Sequence, residues 1–527
     1  MTLAGCCGAL LCAVGGASYG ATALTALTVC TDASPDGFDI VQYESNAAHD
    51  AAGQTIYDQW FRFKPGTTDV MPALVQSWRM SDDGRVYTLV LRPGVSFHTT
   101  PWFKPTREFN ADDLLWSVNR VNDRRHWAHG ASKNGYGYWE GMGMSRLIRS
   151  IEKVDAMTVR VTLTRPESPF IANMAMPALA SVYSEEYAQQ LRRSGHIDRL
   201  DTQPVGTGPF VFRSYRKDAV IRYDRHAAYW AGPPKIDQLI FAITPEASAR
   251  VQRVKAGECL VGTSMKADSA AQLGDGTDIA LVTNQPMSTA YVAPNAQKLP
   301  MSDRRFRQAL ALAVDRRTLI RSLYAGKAQP AVSLLPSNMW SHDASLSDRR
   351  DLERARQLVK DSGYDGRELT LFGVSGGPVD SRRAGELLQA DWAAVGIRVR
   401  VQMMDLGELL KRTGQGDHDL VFLIWFSDNG DPDNFLTPNL GCAAVAGGTN
   451  RSRWCDPRFD ELLESGRRSS DRRERSALYL RAQRLVYDEA AVIALLYPEQ
   501  LTAVSRRVSG FVPSPLASHD FREVRLH

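Results

Sequence analysis

The sequence predicts an α/β protein of more than one domain, and three observations carry that prediction. Short apolar runs with strand-like alternation recur between longer segments whose apolar residues fall at helical spacing. The chain has 527 residues, enough for two or three domains with a core each. Apolar residues make up 43% and charged residues 23%, the proportions of an ordinary globular protein, so those cores can be filled.

In chain order, the first strand-like run is VYTLVLR, around residues 87 to 92. NADDLLWSVNRV then predicts a helix, with Asn110 as its N-cap and Asp112 and Asp113 in the first turn, where the helix dipole favours acids. DAMTVRVTLT (155 to 164) and IDQLIFAI (236 to 243) alternate as strands do. DRRFRQALALAVDRRTLIRSLY (303 to 324) has the spacing of one long helix, and LERARQLVKDSG that of a shorter one ending in Gly. ELTLFGV (368 to 374) is a strand followed by the helix-like SRRAGELLQADWAAVG. DLVFLIWF (419 to 426) is a strand, and ERSALYLRAQRLVYDEA is the last long helix. No internal repeat or low-complexity linker marks a domain boundary, so boundaries must come from element order.

The first 23 residues carry no charged side chain and read as a secretory signal, with cleavage among Ala17 to Ala23. The usual basic start is missing, which points to a true start elsewhere. Leu3-Ala4-Gly5-Cys6 has the form of a lipoprotein processing site, so a membrane anchor is the alternative if the start is displaced. No later stretch reaches the roughly 18 uninterrupted apolar residues of a membrane span. The net charge of +4 is spread without a basic block, which argues against nucleic acid as partner. Cys6, Cys7 and Cys12 would leave with the signal, and four cysteines remain. None forms a CxxC pair of the kind zinc or thioredoxin-like chemistry uses. Cys442 with Cys455 would close a short loop and Cys30 with Cys259 a long one, as fits an oxidising compartment. Four free buried thiols are the alternative.

Several blocks resemble the peptide-type solute-binding proteins of bacterial ABC importers (family 5), in particular the dipeptide-binding branch. They are LVQSWRMSDDGRVYTLVLRPGVSFH (74 to 98), FKPTREFNADDLLWSVNR (103 to 120), QPVGTGPF (203 to 210), TPEASARVQRVKAGEC (244 to 259), RQALALAVDR (307 to 316) and NGDPDNF (429 to 435). Each is weak alone; together, in family order, they cover nearly the whole mature chain. The resemblance implies a type II periplasmic-binding-protein fold, with two α/β lobes on a hinge and an additional α/β domain in one lobe. After the signal (1–23), lobe I would comprise 24–60, 205–285 and 505–527, the additional domain 61–204, and lobe II 286–504. It further implies a periplasmic, monomeric protein that is not an enzyme. It would capture short peptides between its lobes and deliver them to the permease and ATPase subunits of an importer, needing no cofactor. The same role with haem, an antimicrobial peptide or a metal chelate as cargo is the alternative within this class. A surface adhesin that borrowed the fold is another.

The resemblance places Asp428 where a carboxylate pairs with the ligand's α-ammonium, with Trp425 beside it. A desolvated pair of this kind gives direction as well as affinity. The bland reading is that Asp428 caps a turn bent by Gly430 and Pro432. The acids here do not fit a calcium loop: counting from Asp428, Gly430 falls where an oxygen is needed. Asp431 and Asp433 are expected to stabilise the turn, and no metal site is expected. On the opposite wall the resemblance points to Tyr43, Glu44, Ser45 and Asn46, which would grip an extended ligand through backbone groups. Trp60, Trp78, Trp116 and Trp340 are expected to pack, with Met339 and Trp340 as minor candidates for the ligand wall. QPVGTGPF lacks the Lys-Ser or Lys-Thr of a phosphate loop and reads as a tight crossover.

Two features depart from that pattern. The loop SGGPVD has no basic residue where related dipeptide-binding proteins carry an Arg for the ligand's carboxylate, and Arg382 and Arg383 belong to the following helix. Longer or C-terminally modified ligands are therefore admitted. GVSGG (373 to 377) matches the G-x-S-x-G pattern of serine hydrolases. Ser375 as nucleophile, with His418 or His519 as base, is thus the rival reading from another class.

Overall fold

A computed structural model describes residues 25–527, apart from 44, 133–134, 274–277, 349, 376–378, 447 and 517. The expected signal segment and Glu44 lie outside the described residues.

Three sheets organise the chain. The first has seven strands, in the order Ile279–Asn284, Gln500–Ser505, Val261–Met265, Ala26–Thr31, Gln238–Ile243, Val220–Arg225 and Phe210–Arg216. The second has six: Ala328–Pro330, Ile493–Pro498, Ser288–Pro294, Leu420–Phe426, Leu369–Val374 and Val399–Met404. The third is an antiparallel sheet of four, Val75–Met80, Val86–Leu91, Thr158–Leu163 and Ile148–Asp155.

The alternation of side chains explains how the second sheet is covered. Leu420 and Phe422 point to one face, against Phe306, Leu388 and Trp392. Val421 points to the other, against Phe435, Leu463 and Tyr479. A strand buried on both faces reads as a continuous apolar run, which is why DLVFLIWF stood out. The first sheet meets the second at two neighbouring crossings. The chain leaves Ile279–Asn284 and enters Ser288–Pro294 within a few residues. It returns from Ile493–Pro498 directly into Gln500–Ser505, where Gln500 pairs with Asn284. That return falls just before the lobe boundary expected at 504.

The capping signals hold. Asn110 accepts from Asp112 N, and Asp113 closes a capping box on the helix Ala111–Asn122. Arg120 of that helix forms a fully buried ion pair with Asp39 (2.6 Å), tying the four-stranded domain to the first lobe. QPVGTGPF is a close crossover: a Cβ on Gly206 would sit 2.1 Å from the Ile56 carbonyl oxygen, and one on Gly208 2.6 Å from it. The disulfides are Cys30–Cys259 and Cys442–Cys455, with Cα separations of 5.7 and 4.7 Å.

Two expectations need correction. The run 303 to 324 is two helices, Arg304–Ala313 and Arg316–Tyr324. Val314 is extended, and the Asp315 side chain accepts from Thr318 N to start the second helix. Trp78 is 40% exposed, because Val75–Met80 is an edge strand of the four-stranded sheet, and its indole meets Phe61 edge to face.

Candidate functional site

The strand Leu420–Phe426 ends in SDNGDPDNF, and side-chain-to-backbone bonds give this turn its shape. Asp428 N donates to Asn434 Oδ1 (2.8 Å), Gly430 N to Ser427 Oγ (2.8 Å) and Asp431 N to Asn429 Oδ1 (2.9 Å). Asp431 caps the helix Pro432–Leu440, accepting from Asp433 N. The acids beyond the cap are paired inward. Both Asp431 oxygens accept from Arg475, at 2.8 and 2.7 Å. Asp433 meets Arg467 at 2.9 Å. Their role in the turn is therefore the one their spacing suggested, and no described group of three or more His, Cys, Asp or Glu side chains is placed to hold a metal.

Asp428 is used differently: it faces across to the other lobe. Its Oδ2 accepts from the hydroxyl of Tyr138, on the helix Gly137–Gly141, and from Asn434 Nδ2 (3.4 Å). Asn434 Nδ2 also donates to the Tyr138 oxygen (2.8 Å). Among the described residues no hydrogen bond falls on Asp428 Oδ1. Burial pushes the Asp428 carboxyl above the usual carboxylate range, offset by nearby His49 and by its bonds to Tyr138 and Asn434. Beside it, Asn429 donates to Asn173 of the four-stranded domain (2.7 Å). A Cβ on Gly430, at φ +73°, would lie 2.4 Å from Thr68 Cγ2. The turn thus closes tightly on the opposing lobe.

Trp425 packs between the cores of both lobes, and its indole N–H is buried without a partner. Of the residues expected on the facing wall, Ser45 is committed to structure: its Oγ caps the short helix Asn46–Ala48 and donates to Asp36 (2.5 Å). The Tyr43 hydroxyl donates to Asp201 (2.9 Å), which also accepts from the backbone N–H groups of Phe38 and Asp39. Asn46 opens the helix that runs into the turn His49–Gly53. Met339 is buried in the second lobe, and Trp340 lies under the guanidinium of Arg472 at 4.7 Å. Both serve that lobe's packing.

The hydrolase reading fails on geometry. A nucleophile elbow needs a strand leading directly into a helix. Here Leu369–Val374 ends before Ser375, and the next helix starts only at Ser381. His418 gives its Nε2 to the Arg451 carbonyl (2.7 Å), and His519 its Nδ1 to Asp50 (2.6 Å). Neither is set up as a base for Ser375.

Sequence reasoning missed three groups around Asp428: Tyr138, Asn434 and His49. Asn434 was within sight as part of the Asp/Asn-rich turn, but nothing in the local sequence marked the other two.

Two sheet-built lobes joined by a double crossing, and closing over a carboxylate with one oxygen unbonded among the described residues, define a solute-binding protein. Residues 69–447 match the model of bacterial extracellular solute-binding proteins, family 5 Middle, and the chain belongs to that family. It is 45% identical to di/tripeptide-binding protein 4 of Pseudomonas aeruginosa, over 97% of this chain and 96% of that one. Its fold is similar to the dipeptide-binding protein of Pseudoalteromonas sp. SM9913 solved with Met-Leu (TM-score 0.90, 30% identity, 95% of this chain and 100% of that one). It is equally similar to the periplasmic binding protein DppA of Helicobacter pylori solved with the peptide STSA (TM-score 0.89, 33% identity, 95% and 98% covered).

Proposed function

We propose that this protein captures short peptides between its lobes in the periplasm and, as a monomer, hands them to the permease and ATPase subunits of an ABC importer. The partition proposed here keeps the boundaries read from sequence except that the strand Gln500–Ser505 goes with the first lobe, whose sheet it joins. The observation that carries the reading is Asp428. Its Oδ2 is held by Tyr138 and Asn434, while its Oδ1 is left for a guest. A peptide's α-ammonium is the natural complement: it has three N–H donors and a full charge, and an enclosed charge-assisted bond is stronger than one in water. Trp425 would supply an apolar wall beside it, and Tyr43, Ser45 and Asn46 would line the facing side. The ligand's contacts with both walls would favour the closed state, which the permease can then recognise.

Calorimetry on ligand-stripped protein with di-, tri- and tetrapeptides tests this. Asp428→Ala should weaken binding by about 100- to 5,000-fold, the equivalent of roughly 3–5 kcal/mol for breaking a buried pair. Undiminished binding by the variant would overturn the anchor.

A further inference from the structure

On the first-lobe side of Asp428, a polar group stands without a hydrogen-bond partner among the described residues. His49 opens the turn His49–Gly53, a wide helical turn of the kind often found at functional sites. It is only 5% exposed, yet its Nε2 has no hydrogen-bond partner among the described residues. Buried polar atoms are rarely left so, because each unmet bond costs stability unless a ligand or water completes it. The turn packs against Pro177–Ala180, which in turn packs against the helix that carries Tyr138. His49 therefore stands on the first-lobe side, near the point where Tyr138 holds Asp428, close enough that imidazole and carboxylate act on each other's charge. Its neighbour Asp50 is paired with His519 instead. Burial holds the imidazole below its ordinary range, so it is neutral near pH 7 and Nε2 can be an acceptor.

We propose that His49 is a specificity-determining residue of the cleft: its Nε2 accepts a hydrogen bond from the protonated N-terminal amine of the peptide that Asp428 anchors. The inference rests on the peptide-binding reading given above. The donor count supports it. The ammonium has three N–H groups, Asp428 Oδ1 takes one from the second lobe, and His49 Nε2 takes another from the first. One cation would then bond to both lobes, so that the same group that confers specificity also holds the lobes together. A ligand lacking the amine leaves two buried acceptors unmet, and a site built in this way rejects such an analogue strongly.

The test uses ligand-stripped full chain and calorimetry with Ala-Ala and Ala-Ala-Ala, each beside its des-amino analogue, in which a propionyl group replaces the first alanine. In wild type the des-amino compounds should bind at least 100-fold more weakly. His49→Leu should weaken the peptides by about 10- to 100-fold, the loss of one hydrogen bond to a charged group, and leave the des-amino compounds unchanged. The discrimination ratio shrinks accordingly. His49→Gln, which restores an acceptor oxygen, should recover part of it and stands in if the Leu variant does not fold. In histidine labelled with nitrogen-15, the His49 Nε2 resonance should shift with peptide and not with the des-amino compound. A ratio unchanged in His49→Leu and His49→Gln, while Asp428→Asn collapses it, overturns the role of His49 and leaves the anchor standing. A ratio that survives Asp428→Asn overturns the anchor itself.

Discussion

A single carboxylate in this chain does what its two neighbours do not, and the difference lies in their partners. Asp431 and Asp433 are neutralised by Arg475 and Arg467 inside their own lobe. Among the described residues Asp428 has no arginine partner, and a hydroxyl, an amide and an imidazole stand near it. An uncompensated buried carboxylate is costly, so it is kept where a ligand cation can complete it. The sequence made Asp428 visible because it terminates an apolar strand. It could not make His49 or Tyr138 visible, since each sits in an unremarkable segment hundreds of residues away and only the fold brings them together. At the ligand's other end the lesson is reversed. The loop after Ser375 carries no basic residue, so the carboxylate meets no guanidinium from there. Amidating the C-terminus of Ala-Ala-Ala should therefore change its Kd by less than about tenfold, whereas N-acetylation should reduce binding by 100-fold or more. Calorimetry with the three compounds checks this. A large loss on amidation would reveal a cationic clamp elsewhere in the cleft.

The elements were read with uneven success, and the failures have physical causes. Strands covered on both faces, such as Leu369–Val374 and Leu420–Phe426, announce themselves as apolar runs. The pair Arg304–Ala313 and Arg316–Tyr324 looked like one helix because its apolar period continues through the break. The signal for the break was Asp315, a residue that prefers an N-cap to a helix interior and here accepts from Thr318 N. The turn after Leu420–Phe426 shows what a short element can require. Gly430 has a positive φ, and its missing Cβ is the space into which Thr68 closes. Gly430→Ala should therefore weaken Ala-Ala-Ala binding by about tenfold or more, because the lobes cannot approach to the same distance. Combining it with Thr68→Gly should return most of the loss. Calorimetry on the single and double variants decides; an additive outcome would mean that backbone strain alone, and not contact between lobes, is at work.

At the scale of the molecule, closure is held by contacts that the sequence could not foretell, because the first sheet is assembled from distant segments and returns at Gln500–Ser505. One of these contacts is ionisable. Glu167, beside the four-stranded domain, is 4% exposed and lies 3.7 Å from Arg467 of the second lobe, whose carbonyl accepts from Ser168 N (2.7 Å). Burial pushes the Glu167 carboxyl from 4.5 up to about 7, against the opposing pull of Arg467 and Arg165. A carboxyl raised on folding binds its proton more tightly in the folded chain. Between pH 4.5 and about 7 the folded form holds a proton that the unfolded form has lost, so this group's contribution falls as pH rises through that window and is flat beyond it. The total lost should be on the order of 3 kcal/mol. Buried neutral histidines such as His49 and His418 act in the opposite sense, since folding costs them a proton at low pH and stability rises with pH through their range. The net curve is therefore a sum, and the useful quantity is a difference between variants. Denaturant unfolding of peptide-bound wild type and Glu167→Gln, each at pH 5, 6, 7 and 8, isolates it. Wild type should lose stability relative to the variant between pH 5 and 7 and run parallel to it above. Parallel curves throughout would show that Arg467 keeps Glu167 ionised in the closed state, and closure would then be indifferent to pH at this contact.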